Sequence, residues 1–159
     1  MEKAPITKNG FEKLKKELER LKNVSIPENI RDIEIARGHG DLSENAEYSA
    51  AKERQSFLHG KVQELENNLA TSNVIDLKGL TNEKVVFGCY VCIEDTTSGE
   101  RIKHQLVGPY ESDINLNKVS VTSPIGKAVI GKRVGAEITV KTPGGIRYFE
   151  VVDISLEEK

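Results

Sequence analysis

The sequence is poor in large apolar side chains. Aromatic residues make up 5% of its 159 residues, and tryptophan is absent. One large hydrophobic core is therefore not expected. Charged residues make up 30% of the chain, so the composition predicts a long solvated helical segment followed by a small β domain. The change of pattern along the chain places these domains at residues 1–75 and 76–159.

The chain also lacks an excess of charge of either sign. The net charge is −2, with 12 basic against 13 acidic residues in 1–75 and 11 against 12 in 76–159. Without a basic stripe, autonomous binding to duplex DNA is not expected. Apolar runs are too short to span a membrane, and the N-terminus lacks the apolar core of a signal peptide. We expect a soluble, cytoplasmic protein with no membrane partner.

Cysteine is scarce, and Cys89 and Cys92 form a lone C-x-x-C. A zinc or redox site would require a second ligand pair or an adjacent helix start. The flanking residues instead indicate a strand, on which positions three apart face opposite sides. We therefore predict two reduced, mostly buried thiols.

The first half has the heptad spacing of two helices that fold back on each other. Thr7 is the predicted cap of the first helix, and Pro27 is expected to kink or break it. The second helix is predicted to begin at Asp41. The predicted seam residues are Phe11, Leu14, Leu18, Leu21, Ile30, Ile33 and Arg37 on one arm and Ala51, Leu58, Val62, Leu65 and Leu69 on the other. Near the tip the seam is predicted to use small residues, which let the two backbones approach closely and make that end of the hairpin thin. These residues are Ala36, Ala46, Ala50 and Ala51.

The second half changes to period-two alternation with β-branched residues. It predicts a small antiparallel β domain with one short helix, which follows Ser123-Pro124. Thr96–Gly99 and Pro143–Gly145 are predicted turns. The predicted strands are 84–94, 101–107, 118–121, 136–142 and 146–154.

The segment 36–48 forms the tip of the predicted hairpin, and Asp41 and Glu44 allow two interpretations. An Asp followed three residues later by a Glu is the capping-box pattern that begins a helix. Side chains three apart in a first helical turn also lie about 5–6 Å apart at their β-carbons. Two carboxylates at that separation can share a Mg²⁺ ion whose other ligands come from a partner. The spacing alone leaves both interpretations open.

The tip sequence resembles the signature of the bacterial Gre transcript-cleavage factors, most nearly their GreA type. The resemblance extends over essentially the whole chain and includes the Thr-Pro-Gly-Gly hairpin at 142–145. The tip residues that carry it are Ala36-Arg37, Gly40-Asp41-Leu42 and Glu44-Asn45-Ala46-Glu47-Tyr48.

The resemblance implies an α+β fold in which an antiparallel coiled-coil hairpin precedes an FKBP-like domain. It implies that the globular domain docks on RNA polymerase and that the hairpin enters the secondary channel as a monomer. Asp41 and Glu44 would then be the catalytic pair that helps hold Mg²⁺ jointly with the polymerase. Arg37 and Lys52 match basic positions that face the nascent RNA 3′ segment, whereas Glu47 is expected to be structural or to face the channel wall.

Two positions depart from the family pattern. Lys52 replaces a frequent arginine and lacks its planar fork. Gly38 replaces a frequently charged residue and, with Gly40, predicts an unusually flexible turn. His39 is expected to be exposed or to face the channel wall, not to bind metal.

The resemblance further implies a factor that stimulates cleavage by the polymerase and has no hydrolytic activity alone. Two other functions are considered. One is a secondary-channel regulator that does not promote cleavage, which the intact acidic pair disfavours. The other is a prolyl isomerase or chaperone, suggested only by the FKBP-like resemblance.

Overall fold

The computed structural model describes residues 3–41 and 45–156. Its chain divides into two compact units. The first comprises Phe11–Ser72, and the second comprises the described residues of Glu2–Gly10 and Asn73–Lys159. The structural division thus assigns the N-terminal residues to the second unit, whereas the boundary drawn from the sequence had placed them with the hairpin.

The first unit is a hairpin of two helical arms. The outgoing arm consists of α1 (Lys8–Arg20), a π-helical turn (Leu21–Ser25) and α2 (Ile26–Arg37), and the return arm is α3 (Ala46–Ala70). Thr7 caps α1 as predicted, because its Oγ1 accepts a hydrogen bond of 3.0 Å from the Gly10 amide. The predicted antiparallel helical hairpin is confirmed.

Pro27 does not break the outgoing arm, so that alternative is wrong. Proline lacks an N–H group, and its ring crowds the carbonyl four residues earlier. Here the five-residue π-helical turn lies directly before it, and the Ile26 amide donates to the Leu21 carbonyl. Arg20 and Ile26, which flank this turn, both keep right-handed helical dihedral angles. The widened turn accommodates the proline while the chain remains helical.

The predicted apolar seam is confirmed in the part of the hairpin away from the tip. Toward the tip, the buried residues differ from the predicted ones. Leu21, Leu58 and Leu65 are buried together, and the half-buried side chains against them are Leu14, Leu18, Ile26 and Val62. Ile33 and Ala51 are also buried as predicted. Ile30 and Arg37 are exposed, so the prediction that they belong to the seam is wrong.

A polar residue occupies the seam where the heptad pattern had placed Ile30. Asn29 is only 2% exposed, and its Nδ2 donates a 2.9 Å hydrogen bond to the Ala51 carbonyl. This bond satisfies a buried amide that would otherwise carry a desolvation penalty. Of the four small residues predicted for a thin end, Ala36 and Ala51 are buried, whereas Ala46 and Ala50 are exposed.

The second unit contains two sheets. Strands β1 (Ala4–Ile6) and β2 (Ser72–Val74) form a two-stranded sheet. A five-stranded sheet has the order β5-β4-β3-β7-β6. Its strands are β3 (Tyr90–Asp95), β4 (Arg101–Val107), β5 (Lys118–Ser120), β6 (Glu137–Thr142) and β7 (Gly145–Ser155), with the short helix α4 (Pro124–Val129) between β5 and β6. Neighbouring strands are antiparallel except β4 and β5, which are parallel.

The predicted elements of this unit are found with one clear correction. The strand predicted over 84–94 begins only at Tyr90. Val85 lies before it, and its backbone pairs with the turn after α4 by accepting from Gly131 (2.8 Å) and donating to Lys132 (2.7 Å). A buried apolar run that pairs outside the sheet cannot be distinguished from a strand by its composition.

The core of the second unit lies between the five-stranded sheet and α4. It includes Val91 and Ile93 of β3, Val129 of α4, and Val151 of β7, which are all almost completely buried. Each such side chain stabilises the fold by about 1.5–3 kcal/mol.

The two cysteines of the second unit are free thiols. Cys89 is buried and Cys92 is half-buried, which agrees with the prediction of reduced, mostly buried thiols. Burial raises the pKa of the Cys89 thiol. Within the described part of the chain, no helix is both long enough and apolar enough to cross a membrane.

Candidate functional site at the hairpin tip

The outgoing arm ends in a turn with one demanding backbone position. Gly38 caps α2 with φ −66° and ψ −13°, and its amide donates to the Glu34 and Ile35 carbonyls. The His39 amide donates to the Ala36 carbonyl at 3.1 Å. Gly40 then has φ +107°, which residues with a β-carbon rarely adopt. The turn therefore reverses the chain at Gly40, directly before Asp41.

Asn45 begins the return arm. Its Oδ1 accepts a 3.0 Å hydrogen bond from the Tyr48 amide, which makes it the N-cap of α3. The prediction that α3 begins at Asp41 is therefore wrong. The capping-box interpretation and the one-turn spacing of the two acids both depend on Glu44, which lies outside the described residues.

The Asn45 amide has a second bond. Its Nδ2 donates to the Ala36 carbonyl at 2.7 Å and so joins the first residues of the return arm to the end of α2. The sequence analysis did not identify Asn45 as a cap. The available signal was its position, since asparagine is among the strongest N-cap residues, but the Asp-x-x-Glu pattern four residues earlier competed with it.

Asp41 lies at an open concavity of the tip that is also lined by His39, Asn45, Ala46 and Glu47. His39 Nδ1 lies 3.0 Å from Glu47 Oε2, with side chains that are 54% and 70% exposed. His39 is exposed, as expected, and Glu47 is its partner. Asp41 and Glu47, the residue that the turn histidine contacts, therefore line the same concavity.

The two predicted basic residues lie on different arms. Arg37 is the last residue of α2 and is exposed. Lys52 lies in α3, is exposed, and donates a 2.8 Å hydrogen bond from Nζ to Gln55 Oε1. Both cations are therefore accessible from solvent close to the tip.

The donor chemistry of the tip suits a hard divalent cation, because carboxylate oxygens are the ligands that Mg²⁺ prefers in proteins. Asp41 supplies one such group. Across residues 3–41 and 45–156, no three His, Cys, Asp or Glu side chains gather in a way that could hold a metal ion.

Two family models match the chain, one for each half. Residues 4–74 match the N-terminal domain of transcription elongation factors, and residues 80–156 match the C-terminal domain of the GreA/GreB transcription elongation factors.

Named relatives agree with these models over nearly the full length. The transcription elongation factor GreA of Syntrophus aciditrophicus is 71% identical, covering 97% of this chain and 96% of the relative. That of Trichlorobacter lovleyi is 50% identical, covering 96% and 97%.

Among solved structures, the GreA factor homolog 1 of Thermus thermophilus is similar, with 30% identity and a TM-score of 0.45 over 96% of this chain and 98% of that one. From the two family models and the sequence identities, we conclude that the chain belongs to the GreA/GreB family of transcription elongation factors.

Proposed function

We propose that this elongation factor inserts its hairpin into the secondary channel of RNA polymerase and stimulates Mg²⁺-dependent endonucleolytic cleavage of backtracked nascent RNA. Cleavage would create a new RNA 3′ end from which an arrested complex resumes elongation. The observation that carries the proposal is that Asp41 is exposed at the tip, in an open concavity that Glu47 also lines. Carboxylate oxygens are the ligands that Mg²⁺ prefers in proteins.

The shape of the first unit supports insertion into a narrow channel. The 25 residues of α3 correspond to about 37 Å of helix at 1.5 Å per residue. Toward the tip, the buried seam residues include the small Ala36 and Ala51, which allow the two backbones to approach closely. A slender hairpin of this length can carry a side chain at its tip into a narrow channel.

Asp41 and Glu44 are the residues that would hold Mg²⁺, jointly with carboxylates of the polymerase. When bound there, the ion would lower the pKa of a water molecule and neutralise charge developing on the phosphate. The position of Asp41 at the tip, directly after the positive-φ residue Gly40, supports this role. Because the ion is shared, we expect the purified protein not to cleave free RNA.

Arg37 and Lys52 are proposed to contact the nascent RNA 3′ segment. Both side chains are exposed, and a cation beside a phosphate backbone contributes to binding in a salt-dependent way. Their placement on separate arms would allow the RNA to be contacted from both.

The test is transcript cleavage in stalled elongation complexes with Asp41→Asn and Glu44→Gln. Both changes remove charge and nearly conserve shape, and neither alters the Asn45 cap. We expect each to reduce the cleavage rate at least tenfold, because a preorganised charge at the reacting centre is lost. Polymerase binding, measured by competition with labelled wild-type factor, should stay within about twofold.

Asp32→Asn and Glu34→Gln are matched controls, because they make the same chemical changes at exposed positions of α2. Wild-type cleavage by the tip variants would overturn the proposed role of the acids. If polymerase binding persists but the wild-type protein stimulates no cleavage, the protein is instead a regulator that occupies the channel.

A further inference from the structure

The side chain of Asn45 joins the two arms of the hairpin with both ends of one amide. Oδ1 accepts from the Tyr48 amide in the first turn of α3, and Nδ2 donates to the Ala36 carbonyl in the last turn of α2. Few side chains can do this, since an aspartate carboxylate lacks the donor and a serine hydroxyl is too short to reach both partners.

The bond from Asn45 joins the start of the return arm to Ala36 at the end of α2, and the segment 37–44 lies between these two residues in the sequence. Both proposed catalytic acids, Asp41 and Glu44, lie within that segment of the sequence. The Ala36 carbonyl also accepts from the His39 amide at 3.1 Å. One carbonyl at the end of α2 is therefore bonded to the start of the turn and to the start of the return arm.

The tip contains a second connection, which is weaker. His39 and Glu47 lie 3.0 Å apart, but both side chains are more than half exposed. Exposed ion pairs contribute little because water and salt screen them. The Asn45 bonds are partly buried and uncharged, so screening affects them less than it affects the His39–Glu47 pair. They therefore hold the two arms together more firmly.

We propose that Asn45 is a positioning residue that holds the tip turn bearing Asp41 in the geometry needed for stimulated cleavage. The inference rests on the proposed function and assigns the donor Nδ2, rather than the cap alone, to this role. Loss of the donor would leave α3 capped but would remove the bond between the start of α3 and the end of α2. Catalytic geometry tolerates such displacement poorly, since a shift of about 1 Å can reduce a rate about 100-fold.

The experiment compares Asn45→Ser with Asn45→Ala. Serine is as good an N-cap as asparagine, but it is too short to reach the Ala36 carbonyl, whereas alanine removes both bonds. Asn29→Ser is the matched control, because it makes the same change at the other amide that bonds across the hairpin, Asn29 Nδ2 to the Ala51 carbonyl. It should reduce hairpin stability without affecting the tip turn.

The decisive measurement is single-turnover transcript cleavage as a function of factor concentration. For Asn45→Ser we expect the maximal rate to fall about tenfold, while the half-saturating concentration stays within about twofold of wild type. Asn29→Ser should retain the maximal rate even though its thermal midpoint falls. A merely structural role of Asn45 would lower both variants' activity in proportion to their loss of stability.

Two outcomes would overturn this inference without overturning the proposed function. In the first, Asn45→Ser cleaves at the wild-type maximal rate, whether or not Asn45→Ala loses activity. In the second, Asn29→Ser loses as much of the maximal rate as Asn45→Ser. Failure of the proposed function looks different, because then the wild-type protein itself would stimulate no cleavage. Amide hydrogen exchange of the free protein adds an independent readout, in which Asn45→Ser should accelerate exchange at His39 while Tyr48 stays protected.

Discussion

Gly40 is the residue on which the chain reversal at the tip depends. Its φ of +107° lies in a region that costs a residue with a β-carbon appreciable strain. Gly38 has φ −66°, an ordinary helical value. The flexibility expected from two nearby glycines is therefore needed at only one of them, and the family's frequent charged residue at position 38 would fit the same backbone.

Gly40→Ala should lower the free energy of unfolding of the hairpin by about 1–2 kcal/mol, because alanine would be forced to a positive φ. Urea denaturation followed by helical ellipticity would measure the change.

Gly38→Ala is the matched control and should change stability by less than about 0.5 kcal/mol. Its β-carbon would lie 3.3 Å from the Ile35 carbonyl oxygen, a tight contact that offsets the gain from reduced flexibility. Equal losses in both variants would contradict the described turn.

The two helical arms are supported by their mutual seam. Leu58 in α3 is 2% exposed and packs with Leu21 and Leu65, whereas its neighbour Phe57 is 65% exposed. Neighbouring residues on one helix thus contribute very differently to the buried seam, because a rotation of 100° about the helix axis separates their side chains. The exposed Phe57 shows that an apolar residue beside a heptad seam need not belong to it.

Leu58→Ala should lower the free energy of unfolding of the hairpin by about 3 kcal/mol, from lost burial and the cavity left behind. Phe57→Ala removes a larger side chain yet should cost less than about 0.5 kcal/mol, because that ring is mostly in water. Urea denaturation of the full-length chain would compare the two. The reverse order would show that Phe57 is covered in solution.

The whole molecule contains two cores, one in each unit. Within the second unit, Glu111 holds the N-terminal segment by accepting from the Thr7 amide (2.8 Å), Thr7 Oγ1 (2.6 Å) and the Gly108 amide (2.9 Å). The two bonds to Thr7 connect positions 104 residues apart in sequence, so no local pattern indicates them. They explain why the start of the chain belongs to the second unit.

A pH dependence is expected for the second unit. His104 of β4 has a buried Nδ1 with no hydrogen-bond partner in the described structure, and burial lowers its pKa, against a smaller opposing effect of a hydrogen bond to the Asn117 backbone. The unfolded chain therefore binds a proton at higher pH than the folded unit does. Stability from this group is complete above about pH 6.5 and is lost as the pH falls toward the lowered pKa.

Denaturant unfolding of the second unit between pH 7.5 and 5, monitored by tyrosine fluorescence, would measure this loss. His104→Phe should remove the pH dependence, whatever its effect on stability at pH 7.5. Asp95, whose pKa is lowered chiefly by its hydrogen bond to Arg147, should lose its contribution only below about pH 4. An unchanged slope in His104→Phe would assign the pH dependence to other groups.

Local patterns in the sequence determined the hairpin, the Thr7 cap, α4 and the β6–β7 hairpin. Heptad spacing, caps and turn residues act over a few positions, so they can be interpreted without a structure. The match of the tip to the Gre signature also depends on residues adjacent in sequence. These features could be predicted without knowing which residues are in contact in the folded protein.

Only the tertiary structure decided which residues close the tip and support it. Asn45 caps α3 by accepting from the Tyr48 amide and also reaches the Ala36 carbonyl on the other arm. Asn29 took the seam position predicted for Ile30 because Ala51 supplies a carbonyl opposite it. A buried polar side chain stabilises the fold only if a partner on another element satisfies its hydrogen bonds. A local sequence pattern does not show that partner.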